Sequence, residues 1–559
     1  MAHLWGVAAT AAVYILDRCP VLFAEYDYEG LTMAYVITQN CCKDASCIPV
    51  CPVDCIRPAQ STEGFDDAAM LYIDPDTCID CGACFDECPV DAIYYDEDLP
   101  PHLERFKQIN ADHFERNPLV PDYTPEPGPR PAVARGALRV AVVGAGPAAC
   151  YAAKELIDID GVEVELFERL PTPFGLIRAG VAPDHQRTKS VTGIFDSTFS
   201  NKRFGCHLNV EVGKDITHDE LMSTHHAVIY AVGAPDSRKL GLPGEDLPGS
   251  HPAADFVGWY NGHPDHAEHH FDLTGRRAVI IGNGNVALDV ARVLLMGQQE
   301  REATDIATHA LNALSDSAID EVVIMARRGL VDAAFSAGEF LALGHVAGIE
   351  VVIDGQIPAD DPDHDVETRH KIAAAREYLD RPATPGSKRI ILKFNAIPVA
   401  IEGEGRVAAL RLDTDEVVET SLVLRSIGYR GTPIDGVPFD DTSGVVPNTR
   451  GRVAGDESGV YVTGWIKRGP RGVIGSNRVC AAETVDALWQ DFTEGKLDRP
   501  VAQRESLQAL LAERDATVLD WDAWRAIDAA ERARGSQAGR PRVKLVTVEE
   551  LTATALIRG

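Results

Sequence analysis

Twice along this chain a short run of β-branched and apolar residues gives way, across a glycine-rich turn, to a helical alternation of apolar and polar positions. The first is Leu138-Arg-Val-Ala-Val-Val, then Gly144-Ala-Gly146-Pro-Ala-Ala149 and a helical Cys150-Tyr-Ala-Ala-Lys-Glu-Leu. The second is Arg277-Ala-Val-Ile-Ile, then Gly282-Asn-Gly284-Asn285-Val286-Ala-Leu-Asp289-Val-Ala-Arg. A further apolar run follows each helix, Val162-Glu-Val-Glu-Leu-Phe and Glu321-Val-Val-Ile-Met-Ala. Strands buried in parallel sheets read as continuous apolar runs, and the helices between them carry a period of 3.6. The pattern therefore predicts two Rossmann-like βαβ units and an α/β fold class.

The ends and the joint read differently. Residues 117–137, Asn-Pro-Leu-Val-Pro-Asp-Tyr-Thr-Pro-Glu-Pro-Gly-Pro-Arg-Pro and onward, favour extended, semi-rigid backbone, which makes 101–137 a predicted linker. Trp521 and Trp524 lie in a helical, charge-rich stretch within 496–559 that matches no motif. Leu4 to Leu16 is apolar but too short for a bilayer, and lacks the basic start of a secretory signal. A strand, Tyr35-Val-Ile-Thr-Gln-Asn, begins two residues after Met33, so residues 1–32 are expected to be an over-extended reading frame.

Composition narrows the class. At 559 residues, 45% hydrophobic and 25% charged, the chain has the make-up of an ordinary globular protein of several domains. A formal net charge of -32 argues against nucleic acid, whose phosphates need basic surface. Residues 33–100 hold 14 acidic side chains against Lys43 and Arg57 alone, a charge suited to docking on a basic partner face. Ten of the thirteen cysteines precede residue 90, a distribution that fits metal thiolates in a reducing, cytoplasmic setting better than disulfides. No stretch reaches membrane length, so no membrane partner is expected.

Cys78-x2-Cys81-x2-Cys84-x3-Cys88 with Pro89 is the strongest chemical signal. Soft thiolates suit iron–sulfur cores, and this spacing wraps three corners of a cubane with the fourth cysteine crossing to a second cluster. A zinc knuckle, the competing reading, prefers two cysteine pairs with a longer spacer. An earlier group, Cys41, Cys42, Cys47, Cys51-Pro52 and Cys55, repeats the end of the run. By the crossing rule Cys51 joins Cys78, Cys81 and Cys84 around a 4Fe–4S cluster, and Cys88 returns to a second cluster with Cys47 and a residue of the Cys41-Cys42 pair. The earlier group resembles seven-iron ferredoxins, which implies a 3Fe–4S second cluster on Cys41, Cys47 and Cys88 and leaves Cys55 without an iron. If Cys42 also ligates, the second cluster is 4Fe–4S.

The two turns carry nucleotide chemistry. Gly144 permits the tight turn, Gly146 lets backbone approach a pyrophosphate at the helix end, and Ala149 is small enough for helix–strand packing. Glu168 ends the next strand, where a carboxylate accepts from ribose hydroxyls. In the second unit, Gly282, Gly284 and Ala287 repeat the turn, but the next strand ends in Arg327-Arg328. Guanidinium groups there suit a 2′-phosphate, so this dinucleotide is expected to be NADP. A hydride carries two electrons and a cluster accepts one, so a splitter is needed, and FAD is the expected one.

From about 138 to 490 the chain resembles the adrenodoxin-reductase-like ferredoxin–NADP reductases. The resemblance rests on Pro173-Phe-Gly-Leu-Ile-Arg-Ala-Gly-Val-Ala-Pro-Asp-His185, Tyr230-Ala-Val-Gly-Ala, Phe256-Val-Gly-Trp-Tyr-Asn-Gly-His-Pro, the Gly282 turn, and Val462-Thr-Gly-Trp-Ile-Lys-Arg-Gly-Pro-Arg-Gly-Val-Ile-Gly. With the cysteine module in front, the whole resembles the actinobacterial ferredoxin/ferredoxin–NADP reductase type. That implies a small α+β two-cluster ferredoxin domain at 33–100. It also implies an FAD domain split into 138–237 and 461–495 by an NADP domain at 238–460, both three-layered.

The resemblance further implies that Gly144, Gly146, Glu168, Leu176, Trp465, Gly472, Val473 and Ile474 bind FAD. Asn285, Val286, Arg327, Arg328, Glu339, Gly472 and Arg238 would meet NADP. His185, Asp289 and Glu339 would form a catalytic polar set near the flavin, with a purely positioning role as the alternative. Lys467, Arg468 and Arg471 are a candidate docking face for the acidic ferredoxin. The implied function is NADPH-dependent ferredoxin reduction, with an external ferredoxin or a haem monooxygenase system as onward acceptor. The competing readings are an electron-input subunit like the small subunit of glutamate synthase and, for 33–100 alone, an oxygen-reporting module.

Overall fold

The structure, a computed structural model, describes residues 34–59, 64–65, 67–120, 128–455, 458–514 and 516–557. The expected extension at 1–32 lies outside them. Two parallel sheets dominate. The first runs Asn448–Thr449, Arg452–Val453, Val460–Val462, Ala227–Tyr230, Arg139–Val143, Glu163–Glu168, Phe204–Leu208, and its last five strands are parallel. The second is wholly parallel, in the order Ser250–Pro252, Leu422–Arg425, Arg277–Ile281, Glu321–Met325, Lys388–Lys393, Ile349–Asp354. Both central strands are buried along nearly their whole length, as the apolar runs require. The two βαβ units stand where the sequence puts them.

The chain passes between the lobes on a two-stranded ribbon, Asp236–Ser237 against Tyr429–Arg430. The return to the first lobe therefore comes at about 430. The sequence-based boundary at 460 is late because Asn448–Val453, though short and polar, already adds strands to the first sheet. Val437 and Val446 lie in the same apolar cluster as Val228 and Tyr230. Residues 496–557 are no appendage either. Leu519 pairs with Leu208 at the sheet edge, and Leu497, Trp524, Ile527, Leu545 and Leu551 enter the first lobe's core.

The cysteine module is small and loop-rich, with Tyr35–Ile37 antiparallel to Ile93–Tyr95 and Ile56–Arg57 antiparallel to Tyr72–Ile73. The expected linker contains a helix, Arg105–Arg116, whose Phe106, Ile109 and Phe114 complete the module's core. Asn110 on that helix accepts the backbone N–H groups of Ile37 (3.3 Å) and Ile73 (2.9 Å) and donates to the Ile37 carbonyl (2.8 Å). Buried strand-end backbone must be paired, so the module extends to about residue 117. Residues 128–137 beyond it are anchored too: Val133 donates to the Asp160 carbonyl (2.9 Å), and Arg130 pairs with Glu155 and Asp486.

Candidate functional site

Each glycine turn is a cradle by construction. Gly144 has φ +102°, and a Cβ there would lie 2.6 Å from the Ala231 carbonyl oxygen; Gly282 has φ +111° and would meet Ser426 oxygen at 2.1 Å. Only glycine fits such backbone. In front of Gly146 and Gly284 a Cβ would meet nothing within 4 Å, which leaves space for a pyrophosphate at each helix N-terminus. Ala149 and Ala287 are fully buried under their strands. Gly175 sits against Gly146, so the Phe174-Gly175 bend closes the first cradle.

Glu168 accepts the N–H groups of Ala145 (2.8 Å) and Leu170 (3.0 Å), which fixes the carboxylate at the strand end; burial, against those two bonds, pushes its carboxyl up. Leu176 is 46% and Val473 36% exposed, which leaves both apolar side chains free to meet an aromatic ring system. Trp465 donates from its indole to the Arg471 carbonyl, and Asn477 donates to the Val473 and Ile474 carbonyls, bracing the Gly472–Ile474 turn. These residues fit FAD.

In the second lobe, Asn285 accepts the Ser336 N–H (2.8 Å), tying the glycine-turn helix to the helix Ala337–Leu343 that carries Glu339. Val286 packs on the lobe's core. Arg327 and Arg328 are exposed at the strand end, where Gly282 donates to the Met325 carbonyl. Arg328 pairs with Asp332 (2.9 Å) and Arg238, also exposed, donates to the Tyr429 carbonyl (3.2 Å). The guanidinium pair fits an NADP 2′-phosphate.

His185, Asp289 and Glu339 come together, their ligand atoms within 4.8 Å of one another. The sequence reading missed their hub. Arg292 donates to Asp184 (2.7 Å), Asp289 (2.7 Å) and His185 Nε2 (2.8 Å), and its charge faces Glu339 at 3.7 Å. A guanidinium has no acceptor, so His185 takes this bond on Nε2 and carries its proton on Nδ1. Arg292 was visible as the residue three after Asp289 on the same helix face. Burial works against the Asp184 carboxylate, yet Arg292 outweighs it and holds the group below its usual range. Glu339 goes the other way: burial, aided by Asp289 and opposed by His185, pushes it up, and its Oε2 has no hydrogen-bond partner. A carboxyl shifted toward neutral beside an imidazole can hold and pass a proton.

The cysteines sort into two sets. Cys51, Cys78, Cys81 and Cys84 line one cavity with Tyr35, Ile56 and Ile73, a thiol set and apolar wall that fit a cubane. Cys55 lines it too, its Sγ 3.4 Å from that of Cys51. Cys41, Cys42, Cys47 and Cys88 form the second set: Cys41 and Cys88 act electrostatically on both Cys42 and Cys47, while Cys42 is buried in the apolar cluster of Tyr151 and Val191 and Cys47 in the module's own core. Four thiols therefore gather at the second position, with Cys42 and Cys47 the more deeply buried of them.

The module grips both lobes. Asp44 accepts from Tyr151 hydroxyl (2.7 Å), Arg478 donates to the Asp44 carbonyl (2.7 Å), and Ser190 to the Pro89 carbonyl (2.8 Å). Arg105 pairs with Glu377, and Arg116 donates to the Pro362 and His364 carbonyls on the second lobe. Gln39, His102 and Phe106 wall a cavity of about 450 Å³ onto which Asp184, His185 and Arg292 open. The expected cationic docking face loses one of its three residues. Lys467 is buried on Glu483 (2.6 Å), so its charge is spent inside the lobe, whereas Arg468, half-buried on Asn477, and the exposed Arg471 keep theirs.

The 4Fe-4S binding domain family matches residues 71–94, and the pyridine nucleotide-disulphide oxidoreductase family residues 138–331. The chain is 47% identical over 548 residues to the probable ferredoxin/ferredoxin–NADP reductase of Mycobacterium tuberculosis, covering 94% of this chain and 95% of that one. It is 43% identical to NADPH-ferredoxin reductase FprA of the same organism, across 74% of this chain and 98% of FprA. The structure of M. tuberculosis FprA in complex with NADPH superposes with a TM-score of 0.72 at 42% identity, covering 75% of this chain and 99% of FprA. No helix among the described residues is long and apolar enough to cross a membrane.

Proposed function

The chain belongs to the ferredoxin/ferredoxin–NADP reductase family, and on that premise we propose that it is an NADPH-dependent ferredoxin reductase working on its own fused ferredoxin. Bound FAD converts a two-electron hydride into single electrons, which iron–sulfur clusters accept. The protein's part is placement. Glu168 and the Gly146 helix end orient FAD; Gly284, Asn285, Arg327 and Arg328 orient NADPH; Arg292 holds His185, Asp289 and Glu339 as a proton-handling set beside the nicotinamide. Cys51, Cys78, Cys81 and Cys84 would hold a 4Fe–4S cluster. Cys41, Cys47 and Cys88 would hold a 3Fe–4S cluster; Cys42, buried in the apolar cluster beside them, is the thiol whose ligation would make it 4Fe–4S. The onward acceptor is an external ferredoxin or a haem monooxygenase system. Exposed Ile79, Cys81 and Phe85 at the first cavity support an outward site there. Its cysteine usage supports a reducing, cytoplasmic setting.

The observation that carries this reading is the seat of the cysteine loop on the flavin turn, where Gly475 donates to the Cys42 carbonyl at 2.8 Å. The test is an anaerobic NADPH titration of reconstituted protein, with FAD followed by absorbance and the clusters by low-temperature EPR. Flavin bleaching together with cluster reduction is the expected result. Flavin bleaching with unchanged clusters would mean that NADPH does not charge the fused ferredoxin.

A further inference from the structure

Outside the redox centres, one set of side chains converges without bonding. Asp255 lies in the first turn of the helix Ala253–Asn261, and the loop after that helix runs Gly262-His-Pro-Asp-His266-Ala-Glu-His269-His270. The loop folds back on its own helix, with a short turn Pro264–His266. His266 Nδ1 then stands 3.8 Å from Asp255 Oδ1, and His269 Nδ1 stands 3.8 Å from Asp255 Oδ2. All three ligand atoms fall within 4.8 Å of one another.

These separations are too long for hydrogen bonds. They are close to what an ion needs: ligands at about 2.1 Å from a tetrahedral metal lie roughly 3.4 Å apart. His266 Nδ1 is buried and has no hydrogen-bond partner, a state that buried polar atoms rarely keep without a ligand or water. The ring is also held in place. It lies flat on the helix at Gly258, where a Cβ would sit 2.3 Å from His266 Cδ2. The side chains of Asp255, His266 and His269 are 24%, 26% and 36% exposed, so solvent reaches the site from one side.

We propose that Asp255, His266 and His269 form a binding site for a divalent transition-metal ion of the zinc class, separate from the iron–sulfur cysteines. Two imidazoles and one carboxylate suit such an ion, and a water completes four-coordination. The loop bearing the histidines also carries Asp265, which pairs with Arg169 (2.6 Å) beside Glu168. An ion on this site would pin the junction between the second lobe and the ribose end of the first.

The test uses holoenzyme with FAD and clusters assembled, so that the cysteines are occupied. Zinc is added by equilibrium dialysis, its content is read by elemental analysis, and its shell by zinc-edge X-ray absorption. Expected are one equivalent per chain and a nitrogen/oxygen shell with imidazole scattering. His266→Gln and Asp255→Asn should each weaken binding by at least about 100-fold, whereas His270→Gln, on the exposed neighbour, should retain it. If His266→Gln loses FAD or fails to fold, the near-isosteric Asp255→Asn decides. No retained zinc, sulfur in the shell, or undiminished binding in Asp255→Asn would overturn the proposal.

Discussion

The backbone N–H of Gly475 donates to the Cys42 carbonyl oxygen at 2.8 Å, joining the end of the Gly472–Ile474 turn to the loop that carries Cys41, Cys42 and Cys47. The approach is possible only without a side chain, since a Cβ on Gly475 would sit 1.8 Å from the Lys43 carbonyl oxygen. Gly475→Val should therefore oppose docking of the cysteine module by about 1–3 kcal/mol, the usual range for forced overpacking. The expected readouts are slower cluster reduction relative to flavin bleaching and faster protease cleavage within 117–137. Unchanged rates and cleavage would mean that this contact does not hold the module.

Arg292 is 5% exposed at its side chain and faces three carboxylates. Arg292→Met keeps the volume and leaves those charges uncompensated, a loss of about 3–5 kcal/mol in urea unfolding at neutral pH. The Asp184 carboxyl has its folded pKa depressed, so its share of stability is present above its unfolded value near 3.9 and lost as pH falls through the folded value. The gap between wild type and variant should accordingly be widest at neutral pH and narrow as acid protonates these carboxylates, which uncompensated burial makes easier in the variant. A gap constant from pH 7 to pH 3 would contradict this account.

Arg327→Ala and Arg328→Ala each remove a guanidinium from the end of the strand Glu321–Met325. A charge-assisted bond to a 2′-phosphate contributes about 1.5–3 kcal/mol, so the preference for NADPH over NADH in kcat/KM should fall roughly 10- to 100-fold per variant. Asp332→Ala, which frees Arg328 from its ion pair, should leave that preference intact. A matching loss with NADH would place the arginines elsewhere in the mechanism.

Cys41→Ala and Cys42→Ala separate the two candidates for the second cluster. Iron and sulfide content and the EPR spectrum of oxidised protein should be unchanged in Cys42→Ala, whose side chain lies among apolar residues. Cys41→Ala should lose the second cluster's iron and keep the first. The opposite pattern would move the ligand to Cys42.

Asp305 is buried between Lys189 (2.7 Å) and Lys544 (3.3 Å), and burial notwithstanding, the two ammonium groups hold its carboxyl well below the usual range. Asp305→Asn should cost about 3–5 kcal/mol at pH 7. That cost should begin to shrink below about pH 4, where the unfolded chain takes up the proton, and disappear only as the pH falls through the depressed folded value. Thermal unfolding at pH 7 and pH 3 measures both.

Much of the site was legible because its signals are local. The Gly144 and Gly282 turns, the Glu168 strand end, Arg327-Arg328 and the run Cys78–Cys88 are each read within a dozen residues, where backbone conformation and ligand spacing depend on near neighbours. His185, Asp289 and Glu339 could be named through their motifs, but the hub that joins them could not. The helix inside 101–137 was hidden by the prolines beside it, although Phe106, Ile109 and Phe114 already had helical spacing. Residues 496–557 lacked a motif because their part is packing, which many sequences can supply.

By itself the sequence determined the two nucleotide cradles, the thiol sets and the acidic charge of the module, since each depends on short-range sterics, ligand spacing or composition. Only the tertiary structure decided that Arg292 gathers His185 and Glu339 and that Gly475 meets Cys42. Those meetings are set by how lobes and loops pack across long stretches of chain, and nothing in the spacing of residues along the sequence encodes the distance between two surfaces until the cores beneath them have formed.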